Sequence, residues 1–271
     1  MKSSKFPSEA EIVIVGVGGI VGSMLAYWLT ELGQKNIVGL EKSTVIPSDI
    51  ASTAHASDFV YNTTHDKLGN WSTAFSRKFY EDNGFFLKKG GLEICRKDDD
   101  ARWEELKRKV ESGKSFGTNV RLISAAEAKE KFPLLEEESI RGAMWDPDAG
   151  LVIPRSQDVV NFAVENAKEK GSLTTYTDTP ATGFEIQNGR ITGVKTDKGT
   201  IKTDKVVIAS GIWGPLLGDM VGVPVPLAPV EHPLLFFGPL PEAQGAEDFL
   251  VYPLLRDQGN SAYVRDTGRL H

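Results

Sequence analysis

A run of glycines near the start of the chain is the first feature with chemical meaning. It contains Gly16, Gly18, Gly19 and Gly22. Between a strand and a helix, glycines allow a tight turn, let backbone N–H groups approach a pyrophosphate, and let the helix pack closely on the strand. The pyrophosphate would then lie at the positive end of the helix. The spacing departs from G-x-G-x-x-G by one residue, so a one-residue insertion is needed, and which glycine approaches the phosphates stays open.

The elements around this turn form a βαβ pattern. Ile12-Val13-Ile14-Val15 is typical of a strand buried on both faces of a parallel sheet. Apolar residues at helical spacing predict a helix from about Gly22 to Leu32, and a second strand pattern ends at Glu41. A carboxylate there can accept hydrogen bonds from ribose hydroxyls and would repel a 2′-phosphate. The pattern predicts a site for FAD or NAD rather than NADP. A glycine turn that binds nothing is the alternative.

The later elements favour FAD over NAD. Residues 47–66 lack a clear period and predict a long loop. Helix patterns recur at about 68–82, 99–112 and 124–131. Residues 182–203 predict short strands with a hairpin at Asn188-Gly189, and they lead to a buried strand pattern at residues 205–209. A meander inserted before the last parallel strand is typical of glutathione-reductase-type FAD domains, whereas an NAD dehydrogenase would continue with alternating strands and helices.

The predicted fold class is α/β. It comprises a Rossmann-like FAD-binding domain of the glutathione-reductase type with an inserted β-meander, and a mixed α+β substrate domain. We expect a discontinuous FAD-binding domain at residues 10–84 and 150–222, and a substrate domain at residues 85–149 and 223–271. The chain ends beside a strand pattern at residues 261–265, with no terminal helix. The C-terminal part of the fold is therefore expected to be truncated.

Composition narrows the classes of partner. The net charge is −6 and charged residues make up 25% of the chain, so there is no electrostatic reason to bind nucleic acid or an anionic membrane. No apolar run is long enough to span a bilayer and no secretory signal is present, which predicts a cytoplasmic protein. The single cysteine, Cys95, cannot form an internal disulfide.

Two segments resemble a known family. Residues 51–56, Ala-Ser-Thr-Ala-His-Ala, are similar to the Gly-Ser-Thr-x-His-Ala segment of dimethylglycine oxidases, dimethylglycine dehydrogenases and sarcosine dehydrogenases. Residues 211–214, Gly-Ile-Trp-Gly, match a second segment of these enzymes, which belong to the D-amino-acid-oxidase-like superfamily. The resemblance implies FAD bound covalently, through an imidazole nitrogen of His55 and the flavin 8α-methyl group. Non-covalent FAD in the same site is the alternative. The matching segments add four residues to the expected cofactor contacts: Ser52, Thr53, Gly211 and Trp213.

The resemblance also implies an activity. It is oxidation of the C–N bond of an N-methylated amino acid, such as dimethylglycine or sarcosine, by hydride transfer to the flavin. His232 and Tyr263 align with catalytic residues near the substrate, and Arg265 is a candidate partner for a substrate carboxylate. The expected partners are a small-molecule amine and, as electron acceptor, O₂ or an electron-transfer protein. A NAD-dependent dehydrogenase and a truncated, non-catalytic nucleotide-binding module are the competing hypotheses.

Overall fold

The computed structural model describes residues 6–62, 65–243 and 250–267. Two compact units are present: Met1–Ser57 with Pro154–Pro233, and Asp58–Ile153 with Leu234–His271. The predicted domain division stays a prediction. It differs from these units in the placement of three segments: 58–84, 150–153 and 223–233. Its last segment, 223–271, includes residues 244–249 and 268–271, which lie outside the described residues.

The strands and helices are numbered in chain order. The strands are β1 (Ile12–Val15), β2 (Ile37–Leu40), β3 (Phe59–Val60), β4 (Phe86–Lys88), β5 (Gly91–Arg96), β6 (Arg121–Ser124), β7 (Ile140–Asp146), β8 (Gly150–Val152), β9 (Leu173–Tyr176), β10 (Ala181–Gln187), β11 (Arg190–Thr196), β12 (Gly199–Lys202), β13 (Val206–Ile208), β14 (Leu254–Asp257) and β15 (Ala262–Val264). The helices are α1 (Ile20–Glu31), α2 (Lys67–Asp82), α3 (Asp100–Ser115), α4 (Ala125–Lys131), α5 (Ser156–Glu169) and α6 (Gly214–Asp219).

The first unit is built on a parallel sheet with strand order β13-β1-β2-β9. Helices α1 and α5 cover one face, where Ile14, Ile37 and Val160 share a buried cluster. The antiparallel meander β10-β11-β12 contributes Val194 and Ile201 to a second buried cluster against the other face. Burial on both faces explains why β1 and β2 are apolar at nearly every position. The predicted Rossmann-like fold with an inserted meander is confirmed.

The second unit is built on a five-stranded mixed sheet with strand order β15-β14-β5-β7-β6. Strand β14 runs parallel to β5, and the other neighbours are antiparallel. Because side chains alternate along β5, Leu92 and Ile94 pack with α4 on one face, whereas Cys95 packs with α3 on the other. A smaller antiparallel sheet, β3-β8-β4, completes this unit. The predicted mixed α+β character is confirmed.

Local sequence signals mark several of these element ends. Ser124 and Glu127 form a capping box at the start of α4. Asn188 and Gly189 form the predicted hairpin turn with φ of 52° and 74°. Extended backbone persists to Arg155, which occupies the N-cap position of α5, so Ser156 is the first helical residue.

None of the helices in the described segments combines the length and the apolar character that a membrane crossing requires.

Candidate functional site

The glycine turn brings β1, β13 and α1 close together. Gly16 leaves β1 with φ of +95°, and a Cβ at this position would lie 2.6 Å from the carbonyl oxygen of Ala209. A Cβ on Gly22 would overlap the carbonyl oxygen of Gly16. A Cβ on Gly18 would lie 2.5 Å from Oε2 of Glu41. Close approach therefore explains three of the four glycines, and Gly18 is the one that lets the acidic side chain approach.

The N-terminus of α1 opens onto a cleft with unsatisfied donors. The N-cap is Gly19, and the first helical hydrogen bond runs from the N–H of Ser23 to the carbonyl of Gly19. The N–H of Ile20 donates to Oγ1 of Thr53 over 3.1 Å. The N–H groups of Val21 and Gly22 therefore have no acceptor within the helix. No acidic residue lies in the first turn, so the positive end of the helix is available to an anion.

Glu41 is held at the end of β2 by two backbone donors. Its side chain is buried; Oε2 accepts from the N–H of Gly18 and Oε1 from the N–H of Ser43, both over 2.9 Å. A carboxylate offers about four acceptor positions, so these two hydrogen bonds leave acceptor capacity on both oxygens. Glu41 lines the cleft and is placed to accept hydrogen bonds from hydroxyl groups of a ligand.

The loop that carries His55 is a short 3₁₀ helix, Ser52–His55. Ser52 and Thr53 line the cleft. His55 lies two residues further on and is exposed, and its Nε2 donates to the carbonyl oxygen of Asp49 over 3.1 Å. Nη2 of Arg155 donates to the carbonyl oxygens of Ala54 and Ala56, both over 3.2 Å, and so holds the backbone on either side of His55.

The opposite wall of the cleft follows β13. Gly211 turns the chain with φ of +53°, and the ring of Trp213 lies 4.8 Å from Nζ of Lys42. Both residues of this cation–π pair line the cleft, which has a volume of about 650 Å³ and lies wholly in the first unit. Further apolar side chains come from Ile212, Leu216, Met220, Val225 and Leu227. The residues around Lys42 in the sequence do not indicate that it pairs with Trp213, so its role was not predicted.

Two hydroxyl groups in the cleft are buried without partners. Oγ of Ser48 and Oγ of Ser210 have no hydrogen-bond partner among the described residues, and both residues line the cleft. Together with the helix donors and Glu41, they supply polar contacts within a largely apolar space. This is the donor and acceptor set that a pyrophosphate, a ribose and an adenine require, so the residues present fit a dinucleotide.

Neither of the two candidate catalytic residues is among the residues that line this cleft. His232 belongs to the extended, exposed segment 223–240, and its Nδ1 donates to the carbonyl oxygen of Pro233 over 3.4 Å. Tyr263 lies on β15 in the second unit. Its ring packs edge-on against Phe59 with the centroids 6.1 Å apart, and the guanidinium of Arg256 lies 5.3 Å from its centroid. Arg265 directly follows β15. The catalytic roles stay predictions.

Buried polar groups in the second unit are largely structural. Asp146 accepts from the N–H and Nδ2 of Asn62 and from the N–H of Asp148, so its carboxylate holds the turn that follows β7. Burial is the main cause that raises the pKa of Asp146 above its ordinary value. Burial also raises the pKa of the Tyr61 hydroxyl well above its ordinary value. Within the described ranges, no cluster of three or more His, Cys, Asp or Glu side chains could hold a metal ion.

A parallel sheet with a glycine turn at its carboxyl edge, an acidic residue one strand later and an inserted meander defines a flavin-dinucleotide-binding protein. Residues 11–271 match the profile of the family "DAO: FAD dependent oxidoreductase". The chain belongs to this family. The match confirms the predicted FAD cofactor and the predicted family of oxidoreductases, and a NAD-dependent dehydrogenase is not favoured.

Individual relatives agree with this assignment. The chain is 27% identical to human mitochondrial sarcosine dehydrogenase over 98% of its length and 29% of that protein. It is 29% identical to human mitochondrial dimethylglycine dehydrogenase over 97% of its length and 30% of that protein. Among solved structures, L-proline dehydrogenase from P. horikoshii superposes with a TM-score of 0.79 and 28% identity, covering 97% of this chain and 69% of that one. The chain thus spans less than a third of the length of these two curated relatives.

Proposed function

We propose that this chain is the FAD-binding part of an oxidoreductase that oxidises the C–N bond of an N-methylated amino acid similar to dimethylglycine or sarcosine. The single observation that carries the proposal is the cleft at the N-terminus of α1. It is lined by the first residues of the helix, by Glu41, and by two serines whose hydroxyls have no partner among the described residues. The similarity to the sarcosine and dimethylglycine dehydrogenases supports this choice of substrate.

The residues of the cleft would each hold one part of FAD. The N–H groups of the first turn that have no acceptor within the helix bind the pyrophosphate, because they lie at the positive end of α1. Glu41 accepts hydrogen bonds from the ribose of the adenosine half. The apolar wall between β13 and α6, with Trp213, packs against flat ring surfaces and excludes water. When bound, FAD supplies the acceptor for the electron pair taken from the substrate.

The overall reaction balances with a neutral amine. One C–H bond next to nitrogen breaks, a C=N bond forms, and the hydrogen and the electron pair leave with the cofactor. Water then adds to the iminium carbon, which releases formaldehyde and the demethylated amine. A base that keeps the amine neutral favours this chemistry, and His232 and Tyr263 are proposed for that role on the resemblance alone. The amine itself and O₂ or an electron-transfer protein as final acceptor also belong to the proposal. We further propose a cytoplasmic location and no nucleic acid or membrane partner.

A covalent bond between His55 and the flavin is also part of the proposal. The loop supports it, because Ser52 and Thr53 line the cleft and Arg155 fixes the backbone around the exposed imidazole. An imidazole nitrogen of His55 would hold the flavin through its 8α-methyl carbon, with the loss of one C–H and one N–H hydrogen. O₂ takes up the two protons and two electrons and becomes H₂O₂. FAD held without this bond in the same cleft is the alternative.

Anaerobic bleaching of the flavin tests the activity. Dimethylglycine added to the yellow protein should remove the visible flavin absorbance and release formaldehyde. Trimethylglycine is the matched control, since its nitrogen carries four carbons and has no lone pair to form the iminium. Bleaching by neither compound, in protein that holds FAD, would contradict the proposed substrate and leave the flavin assignment standing.

A further inference from the structure

The hydroxyl of Ser48 has no role in the fold. Ser48 is only 2% exposed, and its Oγ has no hydrogen-bond partner among the described residues. Its backbone is fixed, because its N–H donates to the carbonyl oxygen of Gly18 over 3.0 Å. Ser43, five residues earlier, differs: its Oγ donates to Oδ1 of Asp49 over 2.5 Å and accepts from the N–H of Val45 over 3.2 Å. A buried hydroxyl without a partner is costly, which points to a partner from outside the chain.

The side chain of Ser48 meets that of Glu41 at the floor of the cleft. A Cβ added to Gly18 would lie 2.5 Å from Oε2 of Glu41 and 2.8 Å from Cβ of Ser48. The two side chains therefore approach the same point from two directions, and both residues line the cleft. The carboxylate offers only acceptors, whereas the hydroxyl offers one donor and two acceptor positions.

We propose that Ser48 and Glu41 together bind the vicinal diol of a ribose, in the adenosine half of the cofactor. This inference rests on the proposed binding of FAD in the cleft. One ribose hydroxyl donates to Glu41, and the other shares a hydrogen bond with Oγ of Ser48, which fills the vacant hydrogen-bonding capacity of the serine. The pair selects a ribose with both hydroxyls free, because a deoxyribose leaves one partner unsatisfied and a 2′-phosphate meets the carboxylate.

Ser210 provides a matched control in the same cleft. Its Oγ is also buried without a partner among the described residues. It follows β13, whereas Glu41 follows β2, and these strands are separated by β1 in the sheet. Neighbouring strands are about 4.8 Å apart, so Ser210 lies roughly 10 Å from Glu41, too far to share a ribose diol.

The test is a calorimetric titration with ADP, 2′-deoxy-ADP and 3′-deoxy-ADP. The 271-residue chain is produced under riboflavin starvation so that the cleft is empty of flavin. Wild type, Ser48→Ala and Ser210→Ala are compared, with thermal unfolding to show that each variant folds. Ser48→Ala should bind ADP roughly three- to tenfold more weakly, the effect of one neutral hydrogen bond. It should also lose the preference for ADP over one of the two deoxy analogues, which identifies the hydroxyl concerned. Ser210→Ala should keep both preferences, whatever its effect on the affinity for ADP itself.

The outcomes separate the two proposals. If Ser48→Ala folds, binds ADP and keeps the wild-type preference over both analogues, the role of Ser48 is overturned while the FAD cleft stands. The role of Ser48 is also overturned, and the FAD cleft still stands, if the wild type binds all three nucleotides equally well. This measurement needs no variant. If the folded wild type binds no ADP at all, the cleft is not an adenine nucleotide site and both proposals fail.

Discussion

A methyl group added at Gly19 should abolish nucleotide binding without unfolding the chain. A Cβ there would lie 3.7 Å from Oγ1 of Thr53 and 3.9 Å from Cβ of Ala51, which are ordinary contacts, and Gly19 has φ of −97°. The preference for glycine over alanine at an N-cap and the entropy gained by replacing glycine oppose each other, each at roughly 0.5–1 kcal/mol. The free energy of unfolding should therefore change by less than about 1 kcal/mol.

The loss of binding follows from where that methyl group points. Its nearest neighbours, Ala51 and Thr53, line the cleft together with Gly19, Ile20 and Val21, where α1 begins. The added methyl group would hold the phosphate roughly 1–2 Å further from the start of α1, so the phosphate would lose two hydrogen bonds in which it is the charged acceptor. Each contributes about 1.5–3 kcal/mol. The dissociation constant for ADP should rise by roughly two to four orders of magnitude.

Calorimetry with ADP and denaturant unfolding measure these two effects separately. Gly183→Ala is the control, since a Cβ there lies 3.7 Å from Cδ of Lys195 and Gly183 is on the meander strand β10. It should leave both binding and stability unchanged. A stable Gly19→Ala variant that binds ADP as tightly as the wild type would refute the placement of the pyrophosphate at α1.

Four further changes have defined outcomes. Thr53→Val removes the acceptor of the Ile20 N–H and should lower the free energy of unfolding by about 1 kcal/mol, measured by urea denaturation. An unchanged free energy of unfolding would contradict a stabilising role for this hydrogen bond. Glu41→Gln presents an amide N–H to a backbone N–H and should weaken ADP binding at least tenfold by calorimetry, whereas unchanged affinity would exclude Glu41 from the site. His55→Ala should abolish yellow in-gel fluorescence after denaturation but leave FAD in the native protein; a fluorescent variant band would exclude His55 as the link. The hydrogen bond from the backbone N–H of Ser124 is the main cause that lowers the pKa of the Glu127 carboxyl group. The stability that this hydrogen bond adds is therefore present above the ordinary pKa of the group and is lost as the pH falls through the lowered pKa. Urea unfolding of wild type and Glu127→Gln should therefore differ most at neutral pH and converge in acid; a difference that does not vary with pH would contradict this.

The sequence predicted the first unit well because its signals are local. The glycine turn, the buried strand at residues 12–15 and the acid at Glu41 lie within one βαβ unit, where spacing alone fixes their arrangement. The glycine spacing did not indicate the role of Gly18. A Cβ there would lie 2.5 Å from Oε2 of Glu41, so glycine is needed for the carboxylate to lie against the turn.

The residues that the sequence did not reveal depend on long-range contacts. Lys42 acquires its role from Trp213, which lies 171 positions later and reaches the cleft only through the pairing of β13 with β1. Arg155 holds the loop around His55 from the N-cap of α5, about a hundred positions away. Ser48 sits in a segment without periodicity, so its burial could not be inferred from pattern. For His232 and Tyr263 only the resemblance gives a role.

Binding of FAD to the purified 271-residue chain tests the central claim most directly. Flavin content is measured by absorbance in protein as isolated, and starved protein is titrated with FAD while ADP competes. The account predicts one FAD per chain, displaced by ADP when it is not covalently attached. A folded chain with native circular dichroism that neither carries FAD nor takes it up would contradict the account.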